Sequence, residues 1–144
     1  VQTCALPIYF YSVAVHEIFH VLGFGTAASW NHLLTISPPR FTGPSSVGVN
    51  GGTIAVSTPD FAHWVDGKNH FLPGTAILQQ TAMDPSIGSA TRKLPTVLDW
   101  AGLDDIGWDV AASRLSFVPE PIELSVVGAA GLAGFALLRR RRTA

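Results

Sequence analysis

His16, Glu17 and His20 lie near the start of this 144-residue chain, within the stretch SVAVHEIFHVLGFGT at residues 12–26. On an α-helix, residues four apart lie on one face, so both imidazoles can bind the same metal ion. Glu17 then lies beside the ion, where it can take a proton from a water molecule that the metal has made more acidic. This is the chemistry of metal-assisted amide hydrolysis, and the spacing predicts a Zn²⁺ site.

A zinc site needs a further protein ligand, which must come from elsewhere in the chain. After Glu17 the glutamates are Glu120 and Glu123, both in the C-terminal tail, so a Glu ligand on a following helix is excluded. Thr26 occupies the position at which a compact motif would carry its third ligand. Elimination leaves three distant histidines and, as weaker candidates, three aspartates: His32, His63, His70, Asp60, Asp66 and Asp84.

The succession HEIFHVLGF, then HW, then MDP resembles the leishmanolysin-like branch of the metzincin peptidases. The resemblance implies that His63, which precedes Trp64, is the third zinc ligand, with His70 as its main competitor. It also implies a methionine turn at Met83 and Pro85, whose methionine forms an apolar floor beneath the metal. The stretch LDWAGLDDIGW is similar to the helix that follows this turn in the same group.

This resemblance covers roughly residues 13–110 and implies a zinc-dependent endopeptidase that hydrolyses peptide bonds of proteins. His16, His20 and His63 would hold the metal, and Glu17 would be the catalytic base and proton shuttle. The implied fold is α+β, a metzincin-like C-terminal portion with an active-site helix, a loop-rich middle and a C-terminal helix. The substrate-binding sheet of metzincins precedes the active-site helix, so we expect the chain to be an N-terminally truncated fragment.

Two helices are predicted at the motifs. The apolar run Tyr9–Leu22 predicts a buried helix that ends at Gly23, a structural residue of the site. Thr96, with Asp99 three residues later, predicts the capping box of a second helix that ends at Gly107.

Between these helices the sequence indicates little regular structure. Residues 24–34 are expected to form a loop or a short strand, and residues 60–74 a loop that crosses the surface. Asn50, Gly51 and Gly52 separate two short apolar runs, a pattern typical of a β-hairpin turn.

The composition excludes several classes of protein. The chain is 47% hydrophobic and 13% charged with a net charge of −1, and its mildly acidic body has no basic stripe, which argues against a nucleic-acid partner. Cys4 is the single cysteine, so neither an internal disulfide nor a cysteine-based zinc site is possible. Residues 1–8 resemble a translated sequencing adapter and are expected to be non-native, which leaves 9–114 as a partial metallopeptidase domain.

The C-terminal tail carries a second signal. Residues 115–121 predict a linker, and residues 122–144 predict a transmembrane helix with an arginine-rich end, which the positive-inside rule keeps in the cytoplasm. The linker motif consists of Pro119, Glu120 and Pro121, and the basic end of Arg139, Arg140, Arg141 and Arg142.

This order resembles the PEP-CTERM sorting signal of exported bacterial proteins. The resemblance implies a transient anchor in the inner membrane, an exosortase-type enzyme as a processing partner, and a final location at the surface or outside of a Gram-negative cell. An alternative function is an exported surface or biofilm-matrix protein that retains the metallopeptidase scaffold without catalysis. Glu17 favours the enzyme, because a scaffold without catalysis does not need a base.

Overall fold

Four α-helices and two small antiparallel sheets make up the part of the chain that the computed structural model describes, residues 5–88 and 91–116, with side chains from residue 10 onward. The elements are α1 (Ala5–Val21), α2 (Ala28–His32), β1 (Leu34–Ile36), β2 (Pro39–Phe41), α3 (Pro44–Asn50), β3 (Ile54–Ala55), β4 (Asn69–Phe71), β5 (Leu78–Gln80), α4 (Val97–Asp105) and a 3₁₀ turn at Ala112–Arg114. This mixture confirms the α+β class.

The two sheets are both antiparallel. Strands β1, β2 and β3 pair in chain order, with Leu34 opposite Phe41 and Phe41 opposite Ile54, while β4 and β5 form a separate pair. An isolated bridge joins Val56 to Trp64, so the chain between them folds back as a tight loop. His63 lies at the end of this loop, directly before Trp64, so the bridge helps to fix its position.

An aromatic cluster forms the centre of the core. Phe24, Trp30, Phe41 and Trp64 are fully buried, and the ring centroids of Trp30 lie 4.3 Å from Phe24 and 4.1 Å from Phe41. Aromatic pairs of this kind contribute about 0.5–1.5 kcal/mol beyond the burial of their area. Gly102 lets α4 approach this cluster, since a Cβ there would lie 2.5 Å from the Phe24 ring.

Helix α4 confirms the predicted capping box. The Thr96 hydroxyl accepts a hydrogen bond from the Asp99 amide, and the Asp99 carboxylate accepts one from the Thr96 amide. The helix ends at Asp105, and Gly107 follows with a φ of 111°, as a glycine at a helix end permits.

The hairpin turn predicted around Asn50 is wrong. Residues 44–50 form α3 instead, with Pro44 in its first turn, and Gly51 adopts the left-handed conformation of a helix C-cap. The Asp105 carboxylate accepts hydrogen bonds from the amides of Ser45 and Ser46, at 2.7 and 2.9 Å. This cap comes from a residue about 60 positions away, so the local sequence carries no sign of it.

Two further local predictions are corrected. The stretch 24–34 contains α2, a short helix that places Trp30 in the aromatic core. The stretch 60–74 contains β4, whose pairing with β5 supplies partners that a surface loop would lack.

The described residues include no helix with the length and apolar content needed to cross a membrane. The predicted transmembrane helix, its arginine-rich end and the motif at Pro119–Pro121 all lie outside the described residues. Helix α1 begins at Ala5, within the segment 1–8 predicted to be non-native, and the origin of that segment stays a prediction.

Candidate metal centre

Helix α1 carries the first two candidate ligands on one face. His16 is buried at 6% exposure and His20 is half-buried, while Glu17 between them has its side chain exposed to solvent. Successive residues of an α-helix are turned by about 100°, so the Glu17 carboxylate flanks the face that carries the imidazoles. The helix thus presents two nitrogen ligands and one free carboxylate side by side.

His63 completes a cluster of three imidazoles. Its Nε2 lies 3.1 Å from Nε2 of His16 and 3.0 Å from Nε2 of His20, and the two α1 nitrogens are themselves 3.1 Å apart. The structure therefore brings together the three histidines that the sequence predicted as ligands, close enough to hold a metal ion.

The other ring nitrogen of each histidine has a fixed partner. Nδ1 of His16 donates to the Ala82 carbonyl at 2.9 Å, and Nδ1 of His20 donates to the Phe24 carbonyl at 2.8 Å. Nδ1 of His63 donates to the Asp60 carboxylate at 2.9 Å. Carbonyl and carboxylate oxygens only accept, so each neutral ring keeps its proton on Nδ1 and presents a bare lone pair on Nε2.

Three lone pairs that converge at about 3 Å repel one another, because no proton is left to make a hydrogen bond between them. A cation at the centre removes this repulsion, and neutral imidazole is a common ligand of Zn²⁺. Zn–N bonds of about 2.0–2.1 Å at tetrahedral angles separate ligand nitrogens by about 3.3 Å, close to the observed spacing. The donor set fits a metal ion bound by three residues with a further position open.

The surroundings influence the charge of His16 and of Asp60. Burial lowers the pKa of His16, and the nearby rings of His20 and His63 lower it further, although the bond to Ala82 opposes both effects. Desolvation acts to raise the pKa of Asp60, but hydrogen bonds from Ser57 and from the Ala62 amide, together with His63, lower it below its usual range. His63 therefore donates its Nδ1 proton to a charged carboxylate, that of Asp60.

Gly23 shapes the end of α1 at the site. Its φ of 103° reverses the chain directly after the helix, and the Phe24 amide then donates to the Phe19 carbonyl at 3.0 Å. The reversal turns the Phe24 carbonyl back toward His20, where it accepts the Nδ1 proton. The predicted structural role of Gly23 thus has a geometric basis.

Gly25 allows the loop that carries His63 to reach the helix. It has a φ of 74°, and a Cβ there would lie 2.2 Å from the Ala62 carbonyl oxygen and 2.6 Å from the Ala62 Cα. Sequence reasoning missed this residue, because its contact is with a backbone far along the chain. The second glycine of the GFG triplet was the signal that could have indicated it.

The loop itself is held from several sides. The Ser57 amide donates to the His63 carbonyl at 3.0 Å, and the Trp30 indole donates to the Phe61 carbonyl at 2.9 Å. Trp64, the next residue after the ligand, is fully buried in the aromatic core. His63, whose side chain is 16% exposed, is therefore anchored on both sides of its position.

Asp99 connects the remaining parts of the site. Its buried carboxylate accepts hydrogen bonds from the Trp64 indole at 3.1 Å and from the amides of Ala82 and Met83 at 2.8 and 3.2 Å. It also accepts from the amide and the hydroxyl of Thr96. Burial raises the pKa of Asp99, while these hydrogen bonds act in the opposite direction. The capping-box pattern revealed Asp99, but only as a helix cap.

Met83 lies in a turn beside the cluster of three histidines. The Asp84 amide donates to the Thr81 carbonyl at 3.3 Å, which closes a turn with Ala82 and Met83 at its centre. Met83 is fully buried, and its carbonyl accepts from the Trp64 amide at 3.0 Å. Pro85 follows in an exposed position. The turn contacts His16 through the Ala82 carbonyl, which accepts the Nδ1 proton. Its identity as a metzincin methionine turn stays a prediction.

The other candidate ligands lie outside the cluster. His32 is exposed on α2, and His70 is buried in β4 with its Nε2 3.2 Å from the Val49 carbonyl. The Asp84 carboxylate pairs with buried Lys93 at 3.4 Å, and the Asp66 carboxylate accepts from the Ser86 hydroxyl. Asp60 takes part in the site through His63 rather than as a ligand of the cluster.

Comparison with known proteins assigns no relatives: no protein-family model matches the chain, and no curated protein or solved structure matches it either. The resemblances to metzincin peptidases and to the PEP-CTERM signal therefore rest on the motifs alone. The site geometry is a separate observation: His16, His20 and His63 form a cluster able to hold a metal ion.

Proposed function

We propose that this chain is an exported, zinc-dependent endopeptidase that hydrolyses peptide bonds of proteins. The observation that carries the proposal is the convergence of three Nε2 atoms within 3.0–3.1 Å, with every Nδ1 proton directed outward. Zn²⁺ is the ion that a three-imidazole site with an open position best suits.

His16, His20 and His63 would hold the ion. Bound zinc would polarise the scissile carbonyl and lower the pKa of a water molecule, which is the chemistry it supplies to hydrolases. The Glu17 carboxylate would accept a proton from the attacking water and pass it to the leaving amine nitrogen. Its exposure on the flank of the histidine face supports this role, since substrate and water can reach it.

Ala82, Phe24 and Asp60 would act behind the ligands. Each accepts the Nδ1 proton of one histidine, which fixes the tautomer and the ring orientation that metal binding requires. The three imidazoles would therefore be held in the binding geometry before a metal ion arrives.

The exported location is also a proposal and is supported by the C-terminal sequence. An apolar segment ending in Arg139–Arg142 would stay in the inner membrane with the domain outside, until an exosortase-type enzyme processes the tail near Pro119–Pro121. Fractionation of bacterial cells that express the gene tests this. Replacement of the four arginines by glutamine should reduce processing of the tail, and a tail that is processed equally well would contradict the proposal.

The Glu17→Gln variant tests the catalytic proposal. We expect zinc to bind with about one ion per chain while hydrolysis of a broad peptide library falls by about 10²–10⁴-fold, because the amide cannot accept the proton. The matched control is Asp109→Asn, which removes an exposed carboxylate away from the cluster.

Two results would count against the enzyme. Zinc binding without hydrolysis in the unaltered chain would favour the scaffold alternative. Hydrolysis that survives in Glu17→Gln would remove Glu17 from the mechanism.

A further inference from the structure

The face of α1 opposite to the histidines borders a second feature, which we call the α1 groove. Its volume is about 530 Å³, and one wall consists of Tyr11, Val15, Ile18 and Leu22. Ile18 lies two residues from both His16 and His20, so at about 100° per residue its side chain is directed away from the metal cluster. The groove and the candidate metal centre therefore use different faces of the same helix.

The groove exposes more apolar surface than a surface helix normally does. Ile18 is 53% exposed and Tyr11 is 37% exposed. Phe19, on the same helix, is buried in the core with only 3% of its surface exposed. Contiguous exposed apolar surface of this kind marks a site where another segment or molecule binds.

The chain itself arrives at this groove where the described part ends. Arg114 lines the groove, and its guanidinium lies 5.6 Å from the centre of the Trp100 ring, another lining residue. The Ser116 carbonyl accepts a hydrogen bond from the Gly74 amide at 2.9 Å, beside the lining residue Pro73. The described part of the chain therefore ends at the edge of the groove.

The segment that follows has the composition that the groove requires. Residues 117–122 read FVPEPI, with apolar Phe117 and Val118 first and acidic Glu120 in the middle. Arg114 is the basic residue among those that line the groove, and it lies where the described chain arrives. The groove thus combines apolar walls with one basic side chain, and the segment combines apolar residues with an acidic one.

The lengths also agree. Six extended residues span about 20 Å, and proline favours an extended chain. Helix α1 rises about 15 Å from Tyr11 to its last residue, Val21. A segment that starts beside Ser116 can therefore follow the whole groove.

We propose that residues 117–122 of the same chain bind in the α1 groove, with Phe117 and Val118 against Ile18 and with Glu120 near Arg114. This docking would hold the Pro119–Pro121 motif against the domain. The proposal is independent of the metal chemistry, and it leaves residues after 122 free to enter a membrane.

Cysteine cross-linking in the full chain tests the proposal. In a Cys4→Ser background, Ile18→Cys with Val118→Cys should form an intramolecular disulfide under diamide, an oxidant that adds no metal. The matched control pairs Val118→Cys with Ile36→Cys, which replaces an equally exposed isoleucine, at 66%, on β1. We expect the first pair to give at least about fivefold more intramolecular product, since docking raises the local concentration of the two thiols.

Equal yields from the two pairs would overturn the proposal. A product dominated by disulfide-linked dimers would also overturn it, because a second copy of the chain would then occupy the groove.

Limited chymotrypsin digestion gives an independent readout. Cleavage after Phe117 requires release of the segment, so Ile18→Asp should accelerate it by about tenfold, whereas Ile36→Asp should leave it unchanged. Circular dichroism checks that both variants remain folded. An unchanged cleavage rate in a folded Ile18→Asp variant would show that the segment does not bind there.

Discussion

The two faces of α1 differ in how the rest of the chain holds them. On the histidine face, His16 and His20 each direct one ring nitrogen at the shared centre and donate from the other to a backbone carbonyl. On the groove face, Tyr11 and Ile18 are apolar and exposed. One helix thus carries a cluster whose rings are oriented by polar partners and, on another face, an exposed apolar surface that a further segment can cover.

The polar partners of the histidine face come from segments that are distant in sequence. Ala82 lies 66 residues from His16, and Asp60 reaches the cluster through a loop that closes against Gly25. Because each contact fixes a different ring, a change in any one segment should disturb the metal site, whereas changes on the groove face should not. The predictions below test this difference.

Gly25→Ala should produce the largest effect. The new Cβ meets the Ala62 backbone at 2.2–2.7 Å, and backbone cannot move away as a flexible side chain can. We expect the free energy of unfolding to fall by about 3 kcal/mol or more, with weaker metal binding, because the loop carrying His63 must shift. Urea denaturation and metal titration measure the two effects.

Gly51→Ala is the matched control for Gly25→Ala. Gly51 has nearly the same φ, 75° against 74°, but a Cβ there meets nothing within 4 Å. Backbone strain alone should cost about 1–2 kcal/mol and leave metal binding unchanged. Equal losses in the two variants would show that strain, rather than the contact with Ala62, explains the effect.

Asp99→Asn should have the second-largest effect. An amide group would direct its own N–H toward backbone and side-chain donors that now meet a carboxylate oxygen. We expect a loss of about 2–4 kcal/mol in the free energy of unfolding, together with weaker metal binding through the displaced Ala82. The exposed residue Asp109, changed to Asn, should stay within about 0.5 kcal/mol of the unaltered chain. A similar loss in both variants would contradict the role of Asp99.

Asp60→Asn should weaken metal binding more selectively. The carboxylate accepts the Nδ1 proton of His63 and so fixes its tautomer and ring orientation, and its loss should lower the metal affinity by about 10–100-fold. The Asp60 side chain is 48% exposed, and the stability of the metal-free chain should change little. Competition with a chromophoric chelator measures the affinity. Asp66→Asn is the control, and an equal drop there would indicate a general charge effect.

Ile18→Ala should have the smallest effect on the metal site. The change removes part of the groove wall, so we expect the metal affinity to stay within about twofold, as for other substitutions that share no partner with the site. Chelator competition measures it as above. A larger change would show that the two faces of α1 are coupled.

The sequence predicted those parts of the molecule that local patterns determine. The helical spacing of His16 and His20 and the capping box at Thr96 depend on residues only three or four apart, and both helices are present. Helix α3 was not predicted, because its N-terminus is capped by Asp105 from a distant helix. Long-range partners of this kind leave no periodic signal in the sequence.

The same distinction applies to the site. His63 was reached by elimination and by resemblance, and the structure brings it to the other two histidines. Gly25 and Asp99 were missed as site residues, because their roles follow from close backbone approach and buried hydrogen bonds, which only the folded chain defines. The sorting tail remains a prediction from the motif.

The distance in sequence between His20 and His63 determines how strongly a shared metal ion would restrict the unfolded chain. A metal ion bound by both would tie together two points 43 residues apart. For a covalent cross-link, closing a loop of that length lowers the entropy of the unfolded chain by an amount equivalent to about 4 kcal/mol. The bound ion would then act as a reversible cross-link, and the small sheets of this domain would depend on it for part of their stability.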